Sequence, residues 1–177
     1  MKSNTSTKGF TIVELLIVIV VIAILAAISI VAYNGIQQRA RNAQVTAGAS
    51  AYNKALESYK VVSGSYPTDV GCLGANYPGD ICWKQTGSSV INVNSTLDSK
   101  LSEYMPNKPT LATKLIDLGL TSDPAYYQRA GLAYNVNNTA NNMQVRYYLD
   151  GLNQSCVGGF SPVNEGSTTY CFRIFSN

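Results

Sequence analysis

The sequence predicts an α+β fold, one long N-terminal α-helix packed on a small C-terminal antiparallel sheet, and three observations carry that prediction. An apolar run free of charge extends from Leu15 to Gln38, and about 20 such residues suffice to cross a bilayer as a helix. Val45, Ala49, Tyr52, Leu56 and Tyr59 follow at spacings of four and three, which places them on one helical face. Beyond residue 126, segments rich in Tyr, Val, Phe, Ile and Thr alternate with Asp150-Gly151 and Gly158-Gly159, the pattern of strands and turns.

The stretch from Met1 to Gly9 carries Lys2 and Lys8 but no acid and no apolar run, so it lacks the hydrophobic core of a secretory signal. The hydrophobic part begins after the glycine and encloses one carboxylate, Glu14. An ionised acid at a bilayer centre costs about 2.5 to 3.5 kcal/mol on insertion scales, so Glu14 calls for a partner. Ala23, Ala26, Ala27, Ser29 and Ala32 supply the small side chains that let apolar helices approach closely. One helix from Phe10 to about Lys60 would measure about 75 Å at 1.5 Å per residue, which exceeds any bilayer. Its second half therefore belongs to a folded head. It should end near Ser63-Gly64-Ser65-Tyr66-Pro67, where Gly and Pro follow the last basic residue, Lys60.

From Thr68 to about Ala125 the chain reads as mixed and turn-rich. Ser95 to Tyr104 forms a short helix, with Ser95 and Asp98 in a capping arrangement and Pro106 beyond its end, and Leu111 to Leu120 forms another short helical or irregular piece. Gly131 to Asn137, Met143 to Leu149 and Thr168 to Phe175 are the strands of a sheet of three or four. In the pairs Tyr126-Tyr127 and Tyr147-Tyr148 one ring should be buried and the other exposed, because adjacent strand residues face opposite sides. Exposed rings among the twelve tyrosines would offer a surface for partners or carbohydrate. Four cysteines, Cys72, Cys82, Cys156 and Cys171, lie in this region. An even count beyond an export helix implies two disulfides in one of three pairings, and the shorter loops favour Cys72 with Cys82 and Cys156 with Cys171.

Composition limits the chemistry. The chain has no His, which removes the commonest general base and every Ser-His or Cys-His nucleophile; no enzyme is expected. A zinc site is not expected, since no cysteine pair has close zinc-type spacing, and the sequence calls for no metal or other cofactor. Asp123 and Asp150 would be the acids for a calcium site, but no calcium-loop spacing accompanies them. There are 13 basic and 10 acidic residues; without Lys2 and Lys8 the balance is 11 to 10, and no basic footprint for nucleic acid remains. Asn94-Ser95-Thr96, Asn137-Asn138-Thr139 and Asn153-Gln154-Ser155 match the glycan acceptor pattern, which an Asn-rich chain also generates by chance.

The run Lys8-Gly9-Phe10-Thr11-Ile12-Val13-Glu14-Leu15-Leu16-Ile17-Val18-Ile19, continued through Ile24-Leu25-Ala26-Ala27-Ile28 to Ala32-Tyr33, resembles the type IV pilin and pseudopilin superfamily. The resemblance covers roughly the first third of the chain. It implies a leader, residues 1–9, that a prepilin peptidase removes between Gly9 and Phe10 before the new Phe10 amine is methylated. It implies a transmembrane and assembly helix over 10–34 and a globular head over 35–177, with the helix to about 60, a variable region over about 61–125 and the sheet over about 126–177. Glu14 would meet the N-terminal amine of a neighbouring subunit, Phe10, in a filament. The implied partners are identical subunits, the peptidase, an assembly platform with minor pilins, and the cytoplasmic membrane before assembly, with an extracellular pilus as the destination. A type II secretion pseudopilin and a minor ligand-binding pilin are the alternatives. The segment Gly64-Ser65-Tyr66-Pro67 and a C-terminal Cys156 to Cys171 loop also resemble features of many pilins. Where many members have Gly and Pro, this chain has Ala23 and Val31, which favours a more regular helix.

Overall fold

The computed structural model describes residues 9, 11–111, 115–123, 127–137 and 142–176, with the side chains of Val31 and Asn137 excepted. The chain divides into two compact units, Met1–Arg39 and Ala40–Asn177.

Helix α1 runs unbroken from Ile12 to Ser63, ending within the expected Ser63 to Pro67 segment. It stops at Gly64, whose φ of 79° is the left-handed conformation of a helix-ending glycine. The Gly64 amide still donates to the Lys60 carbonyl at 2.8 Å. In the first unit the helix is apolar all round, and its large aliphatic side chains are exposed, from 47% at Val20 to 85% at Ile12. By length and composition it is the kind of helix that can cross a membrane.

In the second unit the stripe predicted from spacing forms one wall of the core. Val45, Ala49, Tyr52 and Leu56 are buried, and Tyr59 packs at the edge of the same cluster. Gly48 lies on this face because the methyl groups of Leu111 occupy the space where a Cβ would stand. The other wall is a five-stranded antiparallel sheet in the order β1-β6-β7-β9-β8, with β1 at Gly71–Leu73, β6 at Leu132–Asn137, β7 at Asn142–Asp150, β8 at Ser161–Glu165 and β9 at Thr168–Phe175. Leu132, Tyr147 and Cys171 align across β6, β7 and β9 and lie in the cluster that contains Leu56.

The sheets depart from the sequence reading, beginning with five strands in the larger one where three or four were expected. The region expected to be turn-rich supplies three strands, β2 (Ile81–Gln85), β3 (Ser89–Asn92) and β4 (Ile116–Asp117), of a second antiparallel sheet in the order β3-β2-β5-β4, whose β5 (Tyr127–Arg129) lies just beyond that region. Part of Leu111 to Leu120 is therefore strand β4; residues 112–114 lie outside the described residues. Tyr147 and Tyr148 are both buried, at 0% and 2%, so the alternation expected of that pair fails. The reason is that both faces of β7 are covered: Tyr147 faces the α1 side of the core, while Tyr148 meets Trp83 of β2 with ring centroids 5.9 Å apart. Tyr126 lies outside the described residues.

Helix α2 spans Ser95–Leu101, and its cap is Asn94, not the expected Ser95 with Asp98. The Asn94 Oδ1 accepts from the amides of Thr96 at 2.9 Å and Leu97 at 3.3 Å, which satisfies two of the first-turn donors. Asp98 turns outward to an ion pair with Lys108 at 2.6 Å.

Candidate functional site

The start of α1 is built from its own sequence. Thr11 precedes the first helical residue and stands three positions before Glu14, the Thr-x-x-Glu spacing of a capping box. The structure closes that box in both directions. The Glu14 amide donates to Thr11 Oγ1 at 3.2 Å, the Thr11 amide donates to Glu14 Oε2 at 2.8 Å, and the Thr11 hydroxyl donates to the same oxygen at 2.8 Å. A negative group in the first turn also complements the positive end of the helix dipole. Both bonds to the carboxylate fall on Oε2; Oε1 accepts none among the described residues. Thr11 is the residue the sequence reading missed, although its spacing to Glu14 was the visible signal.

Gly9 is exposed, with nothing near the position a side chain would take. Phe10, the expected site of cleavage and methylation, lies outside the described residues, as do Lys2 and Lys8. Along the apolar helix, two polar side chains bond within the helix itself: the Ser29 hydroxyl donates to the Leu25 carbonyl at 2.7 Å, and Gln37 Nε2 donates to the Tyr33 hydroxyl at 2.9 Å. Such internal pairing is what an apolar surrounding requires.

The four cysteines form two disulfides. Cys72 joins Cys82 with Cα atoms 5.6 Å apart, and Cys156 joins Cys171 at 5.7 Å. The first ties β1 of the larger sheet to β2 of the smaller. The second anchors the segment between β7 and β8 to the buried centre of β9. Asp150 engages Arg41 at 2.9 Å, and among the described residues no group of three or more acids or cysteines lies together as a metal site would need. Of the glycan-acceptor asparagines, Asn94 caps α2 and donates to the Val70 carbonyl at 2.9 Å. Asn153 is tied to Asn164 at 2.8 Å, and Asn138 and Thr139 of the remaining pattern lie outside the described residues.

Comparison with known proteins agrees with this arrangement. Residues 4–30 match the prokaryotic N-terminal methylation motif. The chain is 38% identical over 112 residues to the type IV major pilin PilE of Neisseria gonorrhoeae, covering 63% of this chain and 66% of that protein. It is 37% identical over 79 residues to a type IV major pilin PilE1 of the same organism, covering 44% and 48%. It is 41% identical over 68 residues to PilA4, the type IV wide pilus major component of Thermus thermophilus, covering 38% and 52%. The chain thus spans about half to two thirds of the length of the curated relatives it matches. No solved structure matches it significantly. The methylation motif, the long helix with its antiparallel head and these relatives support the resemblance to the type IV pilin superfamily.

Proposed function

We propose that this chain is a structural pilin subunit that polymerises through its N-terminal helix into a type IV pilus at the cell surface, and that it is not an enzyme. The observation that carries the proposal is an apolar helix with exposed aliphatic side chains, headed by a carboxylate whose Oε2 is held in its own cap while Oε1 accepts no bond among the described residues. Before assembly the helix rests in the cytoplasmic membrane. Cleavage between Gly9 and Phe10 by a prepilin peptidase, followed by methylation of the Phe10 amine, then creates the cation that Glu14 needs. An α-amino group titrates near pH 7.7 to 8.0, so it is largely charged at neutral pH and compensates a carboxylate in a dry filament core. Copies of the chain, added at an assembly platform with minor pilins, bury the exposed aliphatic surface against one another. Adhesion, twitching motility or DNA uptake are the tasks such a fibre would serve.

The C-terminal loop closed by Cys156 and Cys171 resembles that of many pilins and favours this reading over a type II secretion pseudopilin. The test is intact and N-terminal mass spectrometry on filaments sheared from cells that express the chain. A major species beginning at methylated Phe10 is expected. Processed protein confined to the membrane fraction would favour the pseudopilin or a minor subunit, and retention of Met1 to Gly9 in every fraction would overturn the proposal.

A further inference from the structure

The outer face of the five-stranded sheet, the face turned away from α1, carries a cluster that filament assembly does not explain. Arg146 on β7 stands opposite Phe172 on β9, and Tyr148 stands opposite Tyr170 one step along. From the smaller sheet, Trp83 and Arg129 are cross-strand neighbours, and the Arg129 guanidinium lies 3.7 Å from the centroid of the Trp83 ring. The Arg146 guanidinium lies 5.5 Å from that same centroid and 5.5 Å from the ring of Tyr170.

Two cations therefore converge on one indole. All ten acidic side chains of this protein are among the described residues, and none forms an ion pair with either arginine. Arg129 is only 2% exposed. One of its terminal nitrogens donates to the carbonyls of Lys84 at 2.7 Å and Gln128 at 3.0 Å, while its Nε and that of Arg146 are buried without a hydrogen-bond partner. Guanidinium remains charged when buried, and a buried charge that lacks a counter-ion is costly. Burial also pushes the Tyr148 hydroxyl pKa up, so this ring supplies no negative charge. Nearby, Trp83, Arg146, Tyr170 and Phe172 are only half-buried, which leaves aromatic faces and one guanidinium reachable from solvent.

We propose that this cluster binds an acidic saccharide, a sugar ring bearing a carboxylate or phosphate group. Arg146 takes the oxyanion through the paired N–H geometry that suits carboxylate and phosphate, and the sugar ring lies against the half-exposed aromatic faces. Arg129 is enclosed, so it acts as a positioning residue: it braces Trp83 and adds positive potential in a poorly screened interior. A nucleic-acid strand fits less well, because its affinity rests on many phosphates meeting many cations. Here there are two, aimed at one point.

The protein reports on this site by itself, because Trp83 is its single tryptophan. The experiment is a fluorescence titration of the full chain in detergent micelles with trigalacturonate, glucose 6-phosphate, inorganic phosphate, uncharged galactotriose and sodium chloride at matched ionic strength. Saturable change with trigalacturonate or glucose 6-phosphate is expected, and which of the two binds tells carboxylate from phosphate. Arg146→Gln should weaken it at least tenfold, while Arg146→Lys restores part of the loss. Tyr170→Ala should weaken saccharide binding while leaving inorganic phosphate unchanged, a separation that a purely structural role of the ring would not produce. Circular dichroism of Arg146→Gln checks that its head remains folded. Responses to the acidic sugars no different from sodium chloride, or an unchanged midpoint in folded Arg146→Gln, would overturn the site. Binding of an oligothymidylate with no binding of either acidic sugar would overturn the saccharide assignment.

Discussion

Two stretches of one helix, Ile12 to Ile36 and Val45 to Leu56, behave in opposite ways. In the first, large apolar side chains are exposed on every side; in the second, the buried ones form a single stripe and Ala47, Ala51 and Lys54 are left exposed. The difference lies in the partner each stretch is written for. A sheet covers one side of a helix, so only a stripe has to be apolar. Lipid or surrounding copies, as proposed above, would cover every side, and a stretch suited to them needs no stripe. Hydrophobicity alone therefore does not mark a core; its angular distribution does.

Glu14 is where that contrast breaks most completely. Glu14→Ala removes the only acid between Gly9 and Leu56 and should leave the chain in the membrane fraction while abolishing sheared filaments, measured by fractionation and immunoblot. Wild-type filament yield from this variant would remove Glu14 from the assembly mechanism. The next effect sharpens the contrast from the other side. Leu56→Ala deletes a fully buried side chain and should destabilise the head by about 2 to 5 kcal/mol. Ile22→Ala, at an exposed position of the same helix, should move head unfolding by less than about 0.5 kcal/mol. Denaturant melts of the full chain in detergent compare the two directly, and equal losses would mean that the first stretch is packed in the isolated subunit.

The same contrast explains what could be read in advance. The stripe Val45, Ala49, Tyr52, Leu56 was legible because helical periodicity is a local signal, and strand β9, Thr168–Phe175, because β-branched and aromatic residues run between clear turns. The second sheet was not. Its strands are short, and β2, reading Ile-Cys-Trp-Lys-Gln, pairs both with nearby β3 and with β5 more than 40 residues away. Partners so distant leave no mark on local pattern. That hidden sheet buries Tyr148 and defeats the alternation expected of the tyrosine pair. At the helix start, the Thr11-x-x-Glu14 spacing of a capping box lies inside an apolar run, where the cost of a lone carboxylate is the louder signal.

The two disulfides extend the comparison within the head. Cys156 and Cys171 close a loop with a sequence separation of 15 residues, for which the chain-entropy estimate is about 3 kcal/mol. Replacing both by Ala should lower head stability by about that amount in denaturant melts. The first stretch of α1 should keep its membrane partition, since no cross-link reaches it. A loss of membrane association would show that the two stretches are coupled in a way their burial does not indicate.

The smallest effect separates two neighbours at the point where α1 enters the head. Asn42 reaches the end of β7 twice: its Oδ1 accepts from the Asp150 amide at 2.9 Å, and its Nδ2 donates to the Asp150 carbonyl at 3.0 Å. Both bonds are partly buried, so Asn42→Ala leaves backbone groups unsatisfied and should cost about 1 to 3 kcal/mol. Arg41, one residue earlier, reaches the Asp150 carboxylate at 2.9 Å, but its side chain is 48% exposed. Water and salt screen that pair, and exposed pairs contribute about 0.2 to 1 kcal/mol. Arg41→Ala should therefore fall below Asn42→Ala, and its effect should shrink further as salt rises while that of Asn42→Ala stays constant. If Arg41→Ala were the costlier change at low salt and its cost fell as salt rose, the helix would be held to β7 by charge, and the neutral amide would be secondary.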